Sequence, residues 1–165
     1  MKRNNKGLTL VELIVAMAII SIITVIIGLS VSASSSAKTE KTAASVDALI
    51  SKCRAGCLGR AGDVHLTISL DGTDIVCDYY EDGAVVSTDT FSGSGIAVSY
   101  IMTPAGSEAG TTTVLSESTS LTLSFHRSTG SLTAQAGSYC TSISFTGGRT
   151  YTIELFPITG AHRLA

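Results

Sequence analysis

The chain has 165 residues, a formal net charge of -2 and only 15% charged residues, against roughly 25% in an average soluble protein. Mean hydropathy is +0.38, yet 23 Ser and 21 Thr are present, so the apolar residues must be concentrated in one stretch. There is no overall basic excess of the kind nucleic-acid binding uses, and two Pro with no Trp argue against a Pro-rich linker or a Trp-anchored binding module.

The chain opens with Lys2, Arg3 and Lys6 and no acidic residue before Gly7. From Leu13 to Leu29 no side chain is charged, and only Ser21, Thr24 and Gly28 interrupt the apolar run. Residues 8–29 as a helix would span about 33 Å, enough for a bilayer core. The basic residues before the run, with none after it until Lys38, predict a single-pass membrane protein with a cytoplasmic N-terminus and an extracytoplasmic head. A secretory signal peptide would have a shorter core and an earlier small-residue cleavage site. A plain anchor has no use for Glu12, because an acidic group at mid-membrane costs about 2.5–3.5 kcal/mol on insertion scales, less near the end.

The string Lys6-Gly7-Leu8-Thr9-Leu10-Val11-Glu12 and its apolar continuation resemble the class III leader of type IV pilins and pseudopilins. The resemblance covers about the first fifth of the chain. It implies cleavage between Gly7 and Leu8 by a prepilin peptidase and methylation of the new Leu8 amine. It also gives Glu12 the family's acidic position, the fifth of the mature chain. Physical chemistry agrees, since a carboxylate near a helix N-terminus is favoured by the dipole. In a filament Glu12 could neutralise the Leu8 amine of a neighbour. That contact is heterologous and generates a helix of subunits rather than a closed ring. The partners implied are the prepilin peptidase, other pilin or pseudopilin subunits, an inner-membrane assembly platform and, before assembly, membrane lipid. One departure is that the first Pro is Pro104, so the Pro many pilins carry in this helix is missing, which suggests a straighter helix.

Ser30 to Ala37 contains nothing that stops a helix, and Val46, Leu49, Ile50, Cys53 and Cys57 then recur with helical period. The helix is expected to reach Cys57 or Leu58 and to end at Gly59 and Gly62. Beyond it the period becomes two. Strands are expected at Val64 to Leu70, Ile75 to Tyr80, Val85 to Phe91, Ile96 to Met102, around Leu121 to Phe125, around Ile143 to Phe145, and at Tyr151 to Leu155. Asp71-Gly72, Asp82-Gly83, Ser128-Thr129-Gly130 and Gly147-Gly148 supply turns. Thr103 to Thr113 reads as a small-residue loop. The predicted organisation is a leader at 1–7, a membrane or filament-core helix at 8–29, an amphipathic continuation at 30–58 and a β-rich extracellular head at 59–165. The fold class is α+β and pilin-like, with a long N-terminal helix packed on antiparallel strands.

Cys53, Cys57, Cys77 and Cys140 all follow the apolar run, so all would be exported and able to oxidise. Cys53 and Cys57 lie one helical turn apart, a spacing that seldom has disulfide geometry. Each is therefore expected to join a strand cysteine, Cys77 or Cys140, and staple the head to the helix. Free thiols and a four-thiolate zinc site are the other readings, although a second paired knuckle is missing. Asp71, Asp74, Asp78, Glu81 and Asp82 surround one hairpin without calcium-loop spacing. No nucleophile elbow, HExxH or phosphate loop is present, so neither an enzyme nor a cofactor is expected.

The last third, with Phe125-His126-Arg127-Ser128-Thr129-Gly130 and Phe156-Pro157-Ile158-Thr159-Gly160-Ala161-His162-Arg163, is loosely similar to the minor-pilin group called FimT/GspH. Some members use a terminal Gly-Arg-x-Arg segment for DNA. Here Ala161 stands where the first Arg would be, so DNA binding through His162 and Arg163 is possible but not favoured. Removal of residues 1–7 also takes three of eleven basic residues and leaves a formal charge of -5 before the new terminus is counted. Minor subunit of a pilus-like or secretion-like filament is the leading reading. A DNA-uptake pilin and a tethered domain that never assembles are the alternatives.

Overall fold

The computed structural model describes residues 10–60 and 62–165, apart from the side chains of residues 25–33. Helix α1 (Leu10–Gly59) is followed by nine strands: β1 (Val64–Asp71), β2 (Asp74–Glu81), β3 (Ala84–Ser92), β4 (Ala97–Pro104), β5 (Thr111–Val114), β6 (Leu121–Ser124), β7 (Ser138–Gly147), β8 (Arg149–Phe156) and β9 (Ala161–Leu164). The class is α+β. The chain divides into two units, Met1–Ser34 and Ser35–Ala165.

In the first unit every described side chain from residue 10 to residue 24 is exposed. Leu10 is 74% and Ile14 58% accessible, and apolar residues occupy every side of the helix. The two hydroxyls are satisfied within the helix. Ser21 Oγ donates to the Met17 carbonyl and Thr24 Oγ1 to the Ile20 carbonyl, each at 2.8 Å, a bond that lets such residues sit in apolar surroundings. Among the described residues no helix is long and apolar enough to cross a membrane. The expected span, 8–29, begins before them and ends among side chains outside them.

The second unit closes a core of its own. Val46, Ile50, Cys53 and Cys57 are buried as their period predicts, and Leu49 packs partly buried beside them. The buried stripe also extends back through Thr39, Thr42 and Ala43. Thr39 fits because its hydroxyl donates to the Ser35 carbonyl at 2.9 Å, so that hydroxyl is not left unsatisfied.

Four strands form one antiparallel sheet in the order β3-β2-β1-β6, and five form a second in the order β5-β4-β7-β8-β9. The registers set apolar residues opposite one another: Leu66 faces Tyr79 and Leu123, Ile68 faces Cys77 and Leu121, and Ile143 faces Tyr100 and Ile153. Those inward residues and the helix stripe make one buried cluster. Full burial of each large apolar side chain is worth about 1.5–3 kcal/mol. Asp82 and Gly83 both have positive φ, 50° and 78°, the requirement of the tight hairpin turn that Asp-Gly signals.

One expectation needs correction, and one strand was not anticipated. The segment from Thr103 to Thr113 is not wholly loop, since Thr103 and Pro104 finish β4 and Thr111 begins β5, which pairs with it. A hydroxyl-rich edge strand carries no apolar alternation by which to recognise it. The terminal segment likewise holds β9, paired with β8 through Glu154 opposite Arg163 and Leu155 opposite His162.

Candidate functional site

The processing residues Gly7 and Leu8 lie outside the described residues. Glu12 is in the first turn of α1, where the positive end of the helix dipole favours a carboxylate. Its side chain is exposed, as are those of the apolar residues around it. An acidic group thus stands in the first turn of a helix whose described side chains from residue 10 to residue 24 are all exposed.

The four cysteines are all buried free thiols, and the expected helix-to-strand disulfides are not formed. The physical reason is placement. Cys53 and Cys57 turn toward each other and toward nearby main chain: Cys53 Sγ donates to the Leu123 carbonyl at 3.6 Å and Cys57 Sγ to the Val64 carbonyl at 3.1 Å. Cys77 is on β2 and Cys140 on β7, in different sheets. The Cys53 hydrogen bond holds the Cys57 thiol down to about 7, against the opposing effect of burial. The same bond, with burial, pushes Cys53 far above the ordinary thiol range. Burial pushes Cys77 up to about 12, with Asp89 and Asp78 adding to it, and burial does the same to Cys140.

His162 and Arg163 do not form a common anion patch. They alternate along β9, so their side chains leave opposite faces. His162 turns inward, with its side chain only 10% accessible. Its Nε2 lies 2.9 Å from Ser51 Oγ and 3.6 Å from Asp47 Oδ1, both on α1. Arg163 is taken by a carboxylate: its Nη2 and Nε donate to Glu154 Oε2 at 2.5 and 3.1 Å.

Arg54, which the sequence did not single out, completes this fastening. Arg54 Nε donates to the Gly130 carbonyl at 3.2 Å and its Nη2 to the Thr159 carbonyl at 3.0 Å. Gly160 has φ +64°, and a Cβ there would lie 1.7 Å from the Gly130 oxygen. The Thr-Gly steps that suggested a family motif thus serve a close main-chain crossing, and only that crossing distinguishes them from ordinary turns. The hairpin carboxylates are used locally. Asp82 Oδ1 accepts the Asp63 N–H at 3.1 Å, Glu81 pairs with Arg60, and Asp78 accepts the Thr88 hydroxyl at 2.5 Å.

No curated protein and no solved structure matches the chain. Residues 2–28 match the family model described as the prokaryotic N-terminal methylation motif, the segment that holds Gly7, Leu8 and Glu12. That motif marks substrates of the prepilin peptidase, implies membrane anchoring before assembly, and points to a structural subunit rather than an enzyme. Residues 2–28 thus carry the N-terminal methylation motif, the class III leader found in type IV pilins and pseudopilins.

Proposed function

We propose that the chain is a minor structural subunit of a pilus-like or type II secretion-like filament. The observation that carries this reading is the pairing of Glu12 in the first helical turn with apolar side chains exposed on every side of residues 10–24. A helix apolar all round must be buried in lipid or among other helices. On this reading the peptidase cuts after Gly7, Leu8 is methylated, and residues 8–29 sit in the bilayer with the N-terminus cytoplasmic. The helix then passes from lipid into a filament core, from the assembly platform onto neighbouring pilins or pseudopilins. Glu12 sets the register by meeting the Leu8 amine of the adjacent subunit, because leaving either charge alone in that core is costly. The head stays extracytoplasmic.

The DNA-uptake reading draws less support, because Arg163 is engaged by Glu154 and His162 is turned toward α1. The deciding experiment is Glu12→Ala in cells, with separate assays of membrane fractionation and of recovery in sheared filaments. Recovery in filaments is expected to be lost while membrane insertion is unchanged. Normal assembly of the variant would overturn the register role.

A further inference from the structure

On the side of α1 that faces β3, a cavity of about 360 Å³ is lined by Lys38, Lys41, Thr42, Ser45, Thr90 and Ser92, together with one aromatic ring, and by no carboxylate. Lys38 Nζ is held in place by Ser92 Oγ at 3.2 Å and the Ser94 carbonyl at 2.9 Å, which leaves one of its three ammonium hydrogens uncommitted. Lys41 has no protein partner among the described residues. The nearest acidic residue in sequence, Glu40, accepts a hydrogen bond from Tyr151 O–H at 3.1 Å and so does not compensate either lysine from within the cavity. Two ammonium groups and several hydroxyls thus converge on a space with net positive charge, in a chain that is acidic as a whole. That donor set suits a phosphate oxygen cluster, which takes both charge and several hydrogen bonds.

Position selects among phosphates. Lys38 is the first basic residue after the apolar run and follows Leu29 by nine positions, the juxtamembrane placement in which lysines meet anionic head groups. We propose that this cavity binds the phosphate of an anionic phospholipid head group, holding the head against the bilayer before assembly. The inference rests on the membrane-anchored reading above.

The test titrates the full mature chain, in neutral detergent micelles, with short-chain phosphatidylglycerol, short-chain phosphatidylcholine and inorganic phosphate, following the amide resonances of Thr90 and Ser92. Phosphatidylglycerol is expected to shift both amides in a saturable way, and phosphatidylcholine is not. K38Q/K41Q is expected to weaken the apparent affinity roughly thirtyfold, while R149Q, at an exposed cation outside the cavity, leaves it unchanged. Equal shifts with both lipids, or full binding by K38Q/K41Q with its amide spectrum otherwise intact, would overturn the site. Equal binding of inorganic phosphate would overturn the lipid as its occupant. A chain that enters micelles yet fails to respond sinks this inference alone, whereas a chain that needs no detergent to stay in solution sinks the membrane reading as well.

Discussion

The two units of this chain solve the burial problem in opposite ways. Residues 35–165 turn alternating strands and a helical stripe inward until Ile50, Leu66, Ile68, Phe145 and Ile153 are buried. Residues 10–24 turn apolar side chains outward on all sides and leave them exposed. One unit buries its apolar residues within its own sequence; the described side chains of the other, residues 10–24, stay exposed. The low overall charge and high hydropathy of the chain average over these two states and describe neither.

That contrast can be broken deliberately. The largest effect is expected from Glu12→Ala, which should abolish filament recovery yet leave the thermal midpoint of the C-terminal unit where it was, as judged by near-ultraviolet circular dichroism. The converse substitution is Ile50→Ala, which empties a fully buried site. It should lower unfolding free energy by about 2–5 kcal/mol in a denaturant titration, without altering processing at Gly7. Gly160→Ala comes next. It imposes a Cβ at positive φ against the Gly130 oxygen, and a loss of about 1–3 kcal/mol is expected by the same titration.

The thiols predict a smaller, pH-dependent effect. Cys57 is held down to about 7 from an ordinary value near 9, so between these values the unfolded chain binds the extra proton and stability rises with pH. Above pH 9 the buried thiols Cys77 and Cys140, raised to about 12, and Cys53 stay protonated while the unfolded chain loses its protons. Stability then falls. Unfolding titrations across pH 6 to 11 should show a maximum near pH 8–9, and Cys57→Ser should remove the rising limb. The smallest change is Arg163→Ala. An exposed ion pair is worth about 0–1 kcal/mol, so the unfolding midpoint should barely move. Retention on a DNA column at low salt should not fall; a clear loss would revive the DNA-uptake reading.

What the sequence made legible follows the same division. Strands whose residues alternate in polarity, such as Val64 to Leu70, were readable because burial on one face writes a period of two into the chain. The helix end at Gly59 was readable because glycine stops a helix. The hydroxyl-rich β5 was not, because an edge strand of threonines has no buried face to record. Thr39 was hidden for a related cause: a threonine enters a core once its hydroxyl finds a carbonyl, here that of Ser35, and that partner is visible only in three dimensions. The leader was legible because fixed spacing carries its chemistry in a few residues. The clasp of Arg54, Gly130, Thr159 and Gly160 was not, since it joins residues up to 105 positions apart through one guanidinium, main-chain carbonyls and a close main-chain crossing. The thiol arrangement depended on which side chains share one helical turn against the sheets, and spacing alone favoured a different pairing.

The most direct test of the account is the intact mass of the protein recovered from sheared filaments. The recovered chain is expected to begin at Leu8, carry one methyl group on its amine and retain residues 8–29. A chain that still begins at Met1, or one cut beyond residue 29, would contradict it.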